Sequence, residues 1–398
     1  MLHQGMPWRE TVVMDERARF VLRAREEGSN VSALAREFGV SRKTAYKWLE
    51  RYAEAGVAGL EDMSRRPHRA VSLSGECVLQ ILEVRRRYPH WGPRKLVHVL
   101  KRKGVIGVPS ARSIARVLAR ADIPLIRVRR SKAPASSHAS APTVAPVSRA
   151  AFPNMLWTVD FKGWWRAIDG TRCEPLTVRD ASSRFVLCAK LMKSQSTSAI
   201  RAEFERLFAM YGLPEAILVD NGAPFVSTQS RGGLTMLSAW WVSLGIRLVR
   251  SRLGHPEDNG AHERMHGDMK FELELSPRAS FATQQRALDE WRTTFNDTRP
   301  HEALAMQVPA SQYRKSKRIY QGGKIPQYPR DVLVRKVSMS GRIWLAGGSA
   351  FISRALAGHN VALRARAEGG FELWFHSTDL GVVAAADFIP RGEVHRSA

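Results

Sequence analysis

Apolar residues recur at helical spacing through two stretches of the first third of the chain. In Ser32–Tyr52, SALAREFGVSRKTAYKWLERY, Leu34, Ala35 and Phe38 share one helix face, and Ala45, Trp48 and Leu49 share another. Ser32 and Ser41 are the expected caps of the two helices. Gly39 supplies the left-handed residue that a tight turn needs, and Val40 fills that turn. Arg42, Lys43, Tyr46 and Lys47 fall on the outward face of the second helix. A short helix with a small inner face and a basic outer face, entered through a glycine turn, fits the reading helix of a helix-turn-helix. The competing expectation is an ordinary helical hairpin with a solvated charged face.

A second unit follows. One helix is predicted through Gln80–Arg87, another through Arg94–Lys103 after Trp91-Gly92-Pro93, and a third capped by Ser110. In the third, Ile114, Val117 and Leu118 face inward while Arg112, Arg116 and Arg120 recur every four residues outside. No acidic residue alternates with these arginines, so they form a stripe suited to phosphate rather than an ion-pair ladder. A purely structural helix is the alternative.

Beyond a Pro-, Ala- and Ser-rich stretch, short β-branched runs alternate with helical patterns from about 154 to 318, the mark of an α/β domain. From about 326 to 390 strand-like runs are separated by glycine turns. The expected organisation is two helix-turn-helix domains at 1–66 and 67–127, a linker at 128–151, an α/β core at 152–320 and a small all-β barrel at 326–390. The chain is therefore read as multidomain, all-α then α/β then all-β.

Charge sharpens the picture of partners. Lys and Arg number 62 against 37 acidic residues, a net charge of +25, and most of that excess falls in the first 150 residues. Nucleic acid is the expected polyanion. Cys77, Cys173 and Cys188 lack metal-ligand spacing and cannot all pair, which suits a reducing cytosol. No apolar run reaches the roughly 18 residues that would cross a bilayer, and the first twenty residues resemble no secretory signal. The expected location is the bacterial cytoplasm, at the nucleoid, with no membrane partner.

Candidate chemistry lies where carboxylates end apolar runs. Leu156-Trp157-Thr158-Val159 leads into Asp160, Ala216-Ile217-Leu218-Val219 leads into Asp220, and a helix after a Gly/Pro loop bears Glu263. Two strand ends and a crossing helix can bring these side chains together. Closely placed carboxylates repel unless cations lie between them, and hard oxygen ligands suit Mg²⁺. Asp169 and Asp180 read as turn stabilisers, Glu257 and Asp258 as caps of the last helix, and Glu272 and Glu274 as too far along it to join the site. His262 and His266 have a spacing that can bind zinc but lack a third ligand, so contact with DNA phosphate is the preferred expectation. Trp240 and Trp241 are expected in the core, and the Asn296–His301 group either braces that core or touches DNA.

The order of strands and helices, with the motifs WTVDFKG at 157–163, VDNGAPF at 219–225 and DNGAHERMH at 258–266, resembles the DDE-type insertion-sequence transposases of the retroviral integrase superfamily. Phe295-Asn296 with Arg299-Pro300-His301 extends the likeness. The resemblance implies an RNase-H-like (integrase) catalytic core in which Asp160, Asp220 and Glu263 are catalytic and hold two Mg²⁺ ions, with Mn²⁺ able to substitute. It implies cleavage of transposon ends and joining of 3′-hydroxyl ends to target DNA by a homo-oligomer on double-stranded DNA. Two alternatives remain: a DNA-binding regulator on an inactive core, and a plain metal-dependent nuclease. Asp220 and Glu263 lie farther apart in sequence than is usual in much of that superfamily, with an extra loop expected at Thr228–Leu237 around Arg231-Gly232-Gly233.

Overall fold

The computed structural model describes residues 13–62, 73–124, 150–252, 259–322 and 328–390. Nearly all of the expected linker, together with Glu257 and Asp258, lies outside them. The chain divides into two compact units, Met1–Ser72 and Leu73–Ala398.

In the first unit α1 (Val13–Ala24), α2 (Val31–Glu37) and α3 (Arg42–Ala55) enclose Phe20, Val21, Leu34, Ala35, Ala45, Trp48 and Leu60. Ser41 caps α3 by accepting from the Thr44 amide, and Gly39 takes the expected positive φ of 65°. The cap of α2 is Asn30, not Ser32. Asn30 is extended and its side chain accepts from the Ser32 and Ala33 amides, whereas Ser32 already lies inside the helix.

The second unit opens with α4 (Gly75–Arg87), α5 (Pro93–Arg102) and α6 (Ala111–Arg120). Their shared core holds Ile81, Trp91, Leu96, Leu100, Ile114 and Leu118, each fully buried apolar side chain contributing about 1.5–3 kcal/mol. Ser110 caps α6 as expected.

The α/β body is a five-stranded sheet in the order β5-β4-β1-β6-β7. Its strands are β1 (Leu156–Phe161), β4 (Pro175–Asp180), β5 (Val186–Leu191), β6 (Ala216–Val219) and β7 (Arg247–Arg250). The first three are antiparallel neighbours, while β6 runs parallel to β1 and β7 parallel to β6. A two-stranded hairpin, β2 (Trp165–Arg166) with β3 (Arg172–Cys173), interrupts the passage from β1 to β4. Period-2 alternation turns Trp157 and Val159 toward α7 (Thr197–Tyr211) and α8 (Met236–Ser243). The other face carries α9 (Gly260–Met269) and α10 (Phe281–Asp297), whose Met265, Met269, Leu288 and Trp291 pack on Val186 and Leu191. This is the RNase-H-like arrangement of helices on both faces of a mixed sheet. Trp240 and Trp241 are buried in the core. Asn296 braces β5, accepting from the Val186 amide at 2.8 Å and donating to the Val186 carbonyl at 3.0 Å.

The last segment is all-β but closes no barrel. Its strands form two open sheets, β14-β10-β9 and β13-β12-β11-β8. These comprise β8 (Leu333–Lys336), β9 (Arg342–Leu345), β10 (Gly348–Phe351), β11 (Asn360–Ala365), β12 (Phe371–Phe375), β13 (Thr378–Val383) and β14 (Ile389–Pro390). Closure is not required because the apolar surface is covered from outside. Leu234, Ala239 and Val242, from the α/β body, join Ile343, Leu363, Leu373 and Phe375 in one core. The extra loop makes this contact: Arg231 donates to the Val382 carbonyl at 2.9 Å, and Gly232, at a positive φ of 64°, packs closely against Thr378 and Leu380.

Candidate active site and its supporting network

The register of the central strands decides what faces α9. Asp160 stands opposite Thr177 and Thr158 opposite Arg179, so these four share one face of the sheet. On the other side of β1, Thr158 pairs with Leu218 of β6. Continuing that parallel register by two residues sets Asp220 level with Asp160. Asp220, just past the end of β6, is exposed, as is Glu263 on the first turn of α9, while Asp160 is half-buried. Asp160 feels both. Its carboxyl is pushed up from 3.8 to about 7, first by burial, next by the charge of Asp220, and with a smaller push from Glu263. The Phe161 amide and Asn259 oppose the shift, Asn259 donating to Asp160 Oδ2 at 3.2 Å. Among the described residues no three His, Cys, Asp or Glu side chains stand close enough to hold a metal ion. The donor set nonetheless has the chemistry of one: carboxylate oxygens, one of them pushed toward neutrality by burial and by its acidic neighbours.

His262 and His266 are not surface phosphate contacts. His262 is fully buried, and both imidazoles point at Thr177. The shortest hydrogen bonds there select one arrangement of protons. Thr177 has one hydroxyl proton, and the Asp160 carbonyl 2.9 Å away can only accept it. Thr177 Oγ1 must therefore accept from His262 Nε2 at 2.7 Å and His266 Nε2 at 2.8 Å. With Nε2 protonated, His262 Nδ1 takes the Thr158 hydroxyl proton at 2.8 Å, the closer acceptor than the Arg179 carbonyl at 3.4 Å. His266 Nδ1 is left as a bare acceptor 3.8 Å from Asp160 Oδ2. Both rings are neutral, consistent with their environment. Burial, then the proximity of the His266 ring, holds His262 well below the usual histidine range, and burial, then Lys162, takes His266 down to about 3.

The network fastens the first turns of α9 to β1 and β4. Arg179 adds a bond from Nη1 to the Ala261 carbonyl at 2.7 Å, with its guanidinium lowered to about 9 by burial and then by Arg184. Thr177→Val keeps the shape but orphans two buried imidazole N–H groups. Each orphan costs about 1–3 kcal/mol, so a fall in urea stability of about 2–6 kcal/mol is expected, with Thr177→Ser close to the parent. An unchanged urea midpoint for Thr177→Val would remove Thr177 from the centre of this arrangement.

Farther along, Lys162 pairs with Glu274, and Arg299 pairs with Asp268 at 2.6 Å and Glu272 at 3.2 Å. Glu272 and Glu274 are thus committed elsewhere, as their positions predict. Asp169 accepts from the Thr171 amide at 2.9 Å, and Asp180 accepts from Asn154 and Ser183, both stabilising turns. Sequence reading missed Thr158, Thr177 and Asn259. Thr158 and Thr177 look like ordinary β-branched strand residues until the register is known.

On the helical domains, Arg42, Lys43, Tyr46 and Lys47 are exposed on α3, and Arg112, Arg116 and Arg120 are all exposed on α6. No helix among the described residues is long and apolar enough to cross a membrane.

Residues 150–256 and 244–309 match families described as integrase core domains. Residues 16–68 match a helix-turn-helix domain and residues 44–118 a homeodomain-like domain. An uncharacterized 31.7 kDa protein of insertion element IS407 from Burkholderia multivorans is 27% identical over 161 residues, covering 40% of this chain and 54% of that protein. An uncharacterized 39.2 kDa protein of insertion element IS476 from Xanthomonas euvesicatoria is 23% identical over 245 residues, covering 61% of this chain and 65% of that protein. The chain therefore spans about half to two thirds of the length of these relatives. The catalytic core of HTLV-2 integrase in complex with magnesium is 18% identical, with a TM-score of 0.33 over 42% of this chain and 100% of that one.

Proposed function

We propose that this chain is an insertion-sequence transposase of the integrase superfamily, which binds the ends of a DNA element, cleaves them and joins the freed 3′-hydroxyls to target DNA. The observation that carries the reading is the electrostatic coupling of Asp160 to Asp220 and Glu263 within the residues that match an integrase core. A fold that needed only stability gains nothing from placing Asp160 where burial and two other carboxylates oppose its ionisation.

Asp160, Asp220 and Glu263 would hold two divalent ions, Mg²⁺ or Mn²⁺. When bound, these would supply Lewis-acid stabilisation and activation of the attacking oxygen. The chain's own contribution is positional. Thr177, His262 and Arg179 fix α9 against the sheet, so that Glu263 is presented from a helix with little freedom to tilt. Asn259 orients one oxygen of Asp160.

Arg42, Lys43, Tyr46 and Lys47, with Arg112, Arg116 and Arg120, would read and grip duplex DNA as a homo-oligomer brings two ends together. Arg116→Ala is expected to weaken duplex binding and to reduce the slope of log affinity against log salt by about 0.9 for each phosphate it ceases to neutralise. A slope equal to that of the parent would count against a phosphate partner for Arg116.

The test of function is a strand-transfer assay with labelled duplexes carrying the inverted repeats that flank the gene, in Mg²⁺ or Mn²⁺. Joined products support the proposal. Binding without cleavage points to a regulator, and cleavage without joining to a nuclease; either result overturns it.

A further inference from the structure

The hairpin between β1 and β4 presents a surface that the fold does not need. Its two faces differ sharply. On the inner face Trp165, paired with Cys173, is buried against α9 and α10. On the outer face Trp164 is 51% exposed, with its indole open to solvent on a hairpin that already has a tryptophan in its core. Arg166 and Arg172 are direct cross-strand partners. Their guanidinium carbons lie 5.5 Å and 5.0 Å from the Trp164 ring centre. Each is also held in place, Arg166 by donating to the Gly170 carbonyl at 2.7 Å and Arg172 by pairing with Glu174 at 2.8 Å.

The platform is rigid. The Ile168 and Asp169 amides donate to the Arg278 and Ala279 carbonyls at 2.9 Å and 3.1 Å, and the Ala167 amide closes on Thr171 at 2.9 Å. It is also near the candidate active site. Trp164 is four residues beyond Asp160, so at most about 14 Å of backbone separates them. Strand rise is about 3.4 Å per nucleotide, so a base on Trp164 lies within about four nucleotides of a phosphodiester at Asp160.

We infer that the outer face of this hairpin, Trp164 with Arg166 and Arg172, is a binding site for single-stranded DNA: the indole stacks one unpaired base and the two guanidiniums meet the phosphates beside it. The inference rests on the reading of this chain as a DNA strand transferase. The physical case is composition matched to ligand. An exposed aromatic ring gains most from a flat partner, arginines gain from phosphate, and the two together make the combination that tracks single strands without reading sequence. Duplex DNA keeps its bases stacked inside and offers the indole nothing comparable. The site therefore favours a strand already opened at an element end.

The test is fluorescence anisotropy with the full chain and two labelled probes, a twenty-nucleotide oligo-dT and a duplex of the same length. Trp164→Ala is expected to weaken oligo-dT binding about tenfold and duplex binding less than about twofold. Trp164→Phe, which keeps a ring and guards against misfolding as the explanation, should stay within about threefold of the parent on both. Arg172→Gln should weaken oligo-dT binding and lower its salt dependence. Equal losses on both probes, or no loss on oligo-dT, overturn this inference while leaving the strand-transfer reading intact. A parent chain that binds neither probe overturns both. If Trp164→Ala instead lowers the oligomeric state in sedimentation with oligo-dT affinity unchanged, the face is an interface between copies and the inference fails.

Discussion

Asp160→Asn, Asp220→Asn and Glu263→Gln are each expected to lower strand cleavage and joining by at least about a thousandfold, about 4 kcal/mol on the barrier, with duplex binding retained. Each change removes one anionic oxygen donor while preserving shape. The folded protein should tolerate them. For Asp160→Asn it should gain stability, because the parent carboxyl is buried beside Asp220 and held at about 7. The sign follows from linkage. A carboxyl whose folded pKa lies above its unfolded value of 3.8 favours folding only while it is protonated. Without divalent ions, that contribution is full below the unfolded pKa and is lost as pH rises through about 7. The parent in EDTA should therefore lose stability between about pH 4 and 7, and Asp160→Asn should lose less. At neutral pH the variant should lead by on the order of 2 kcal/mol once residual hydration is discounted. Urea denaturation across that range, beside a strand-transfer assay of the same preparations, separates the two effects. Near-parental turnover in any of the three variants would take that residue out of the site.

Arg299→Met should destabilise the second unit by about 3–5 kcal/mol, the usual cost of stranding the partners of a buried charge. Arg299 is 4% exposed and holds Asp268 in α9 and Glu272 in the π-turn, Lys270–Glu274, that follows it. Burial already raises the Glu272 carboxyl, and the Arg299 charge is the largest influence opposing that rise. Without the guanidinium two carboxylates face each other with less compensation, so the loss should deepen toward alkaline pH. Arg299→Lys keeps the charge but cannot fork between two acids, and should recover only part of the stability. The residue also lies under the helical domain formed by α4–α6. Its guanidinium is 6.0 Å from the Trp91 ring, and Arg102 nearby donates to the Asp297 and Thr298 carbonyls. Loosening Arg299 should thus free both the tail of the Glu263 helix and the seat of α4–α6. A urea midpoint equal to the parent's would show that the pair is solvated and contributes little.

Other features of the site were invisible before the strands were paired. Thr158 and Thr177 are two β-branched residues among many, and only the opposition of Asp160 to Thr177 brings their hydroxyls under His262 and His266. Sequence spacing placed the two histidines on one helix face and suggested a role at the surface. Their burial assigns them instead to hold that helix down.

The amino-acid sequence by itself determined the local elements. Apolar periodicity set α3 and α6, Ser41 and Ser110 fixed two helix starts, and apolar runs ended by acids marked β1 and β6. These are short-range properties, carried by neighbours within a few residues. Tertiary structure alone decided which strand lies beside which, that the loop at Arg231-Gly232-Gly233 carries the terminal sheets on its own core, and that those sheets stay open. It also decided which of two adjacent tryptophans, Trp164 and Trp165, faces water. Such outcomes depend on contacts between residues far apart in the chain, and local pattern does not encode which apolar surface another segment will cover.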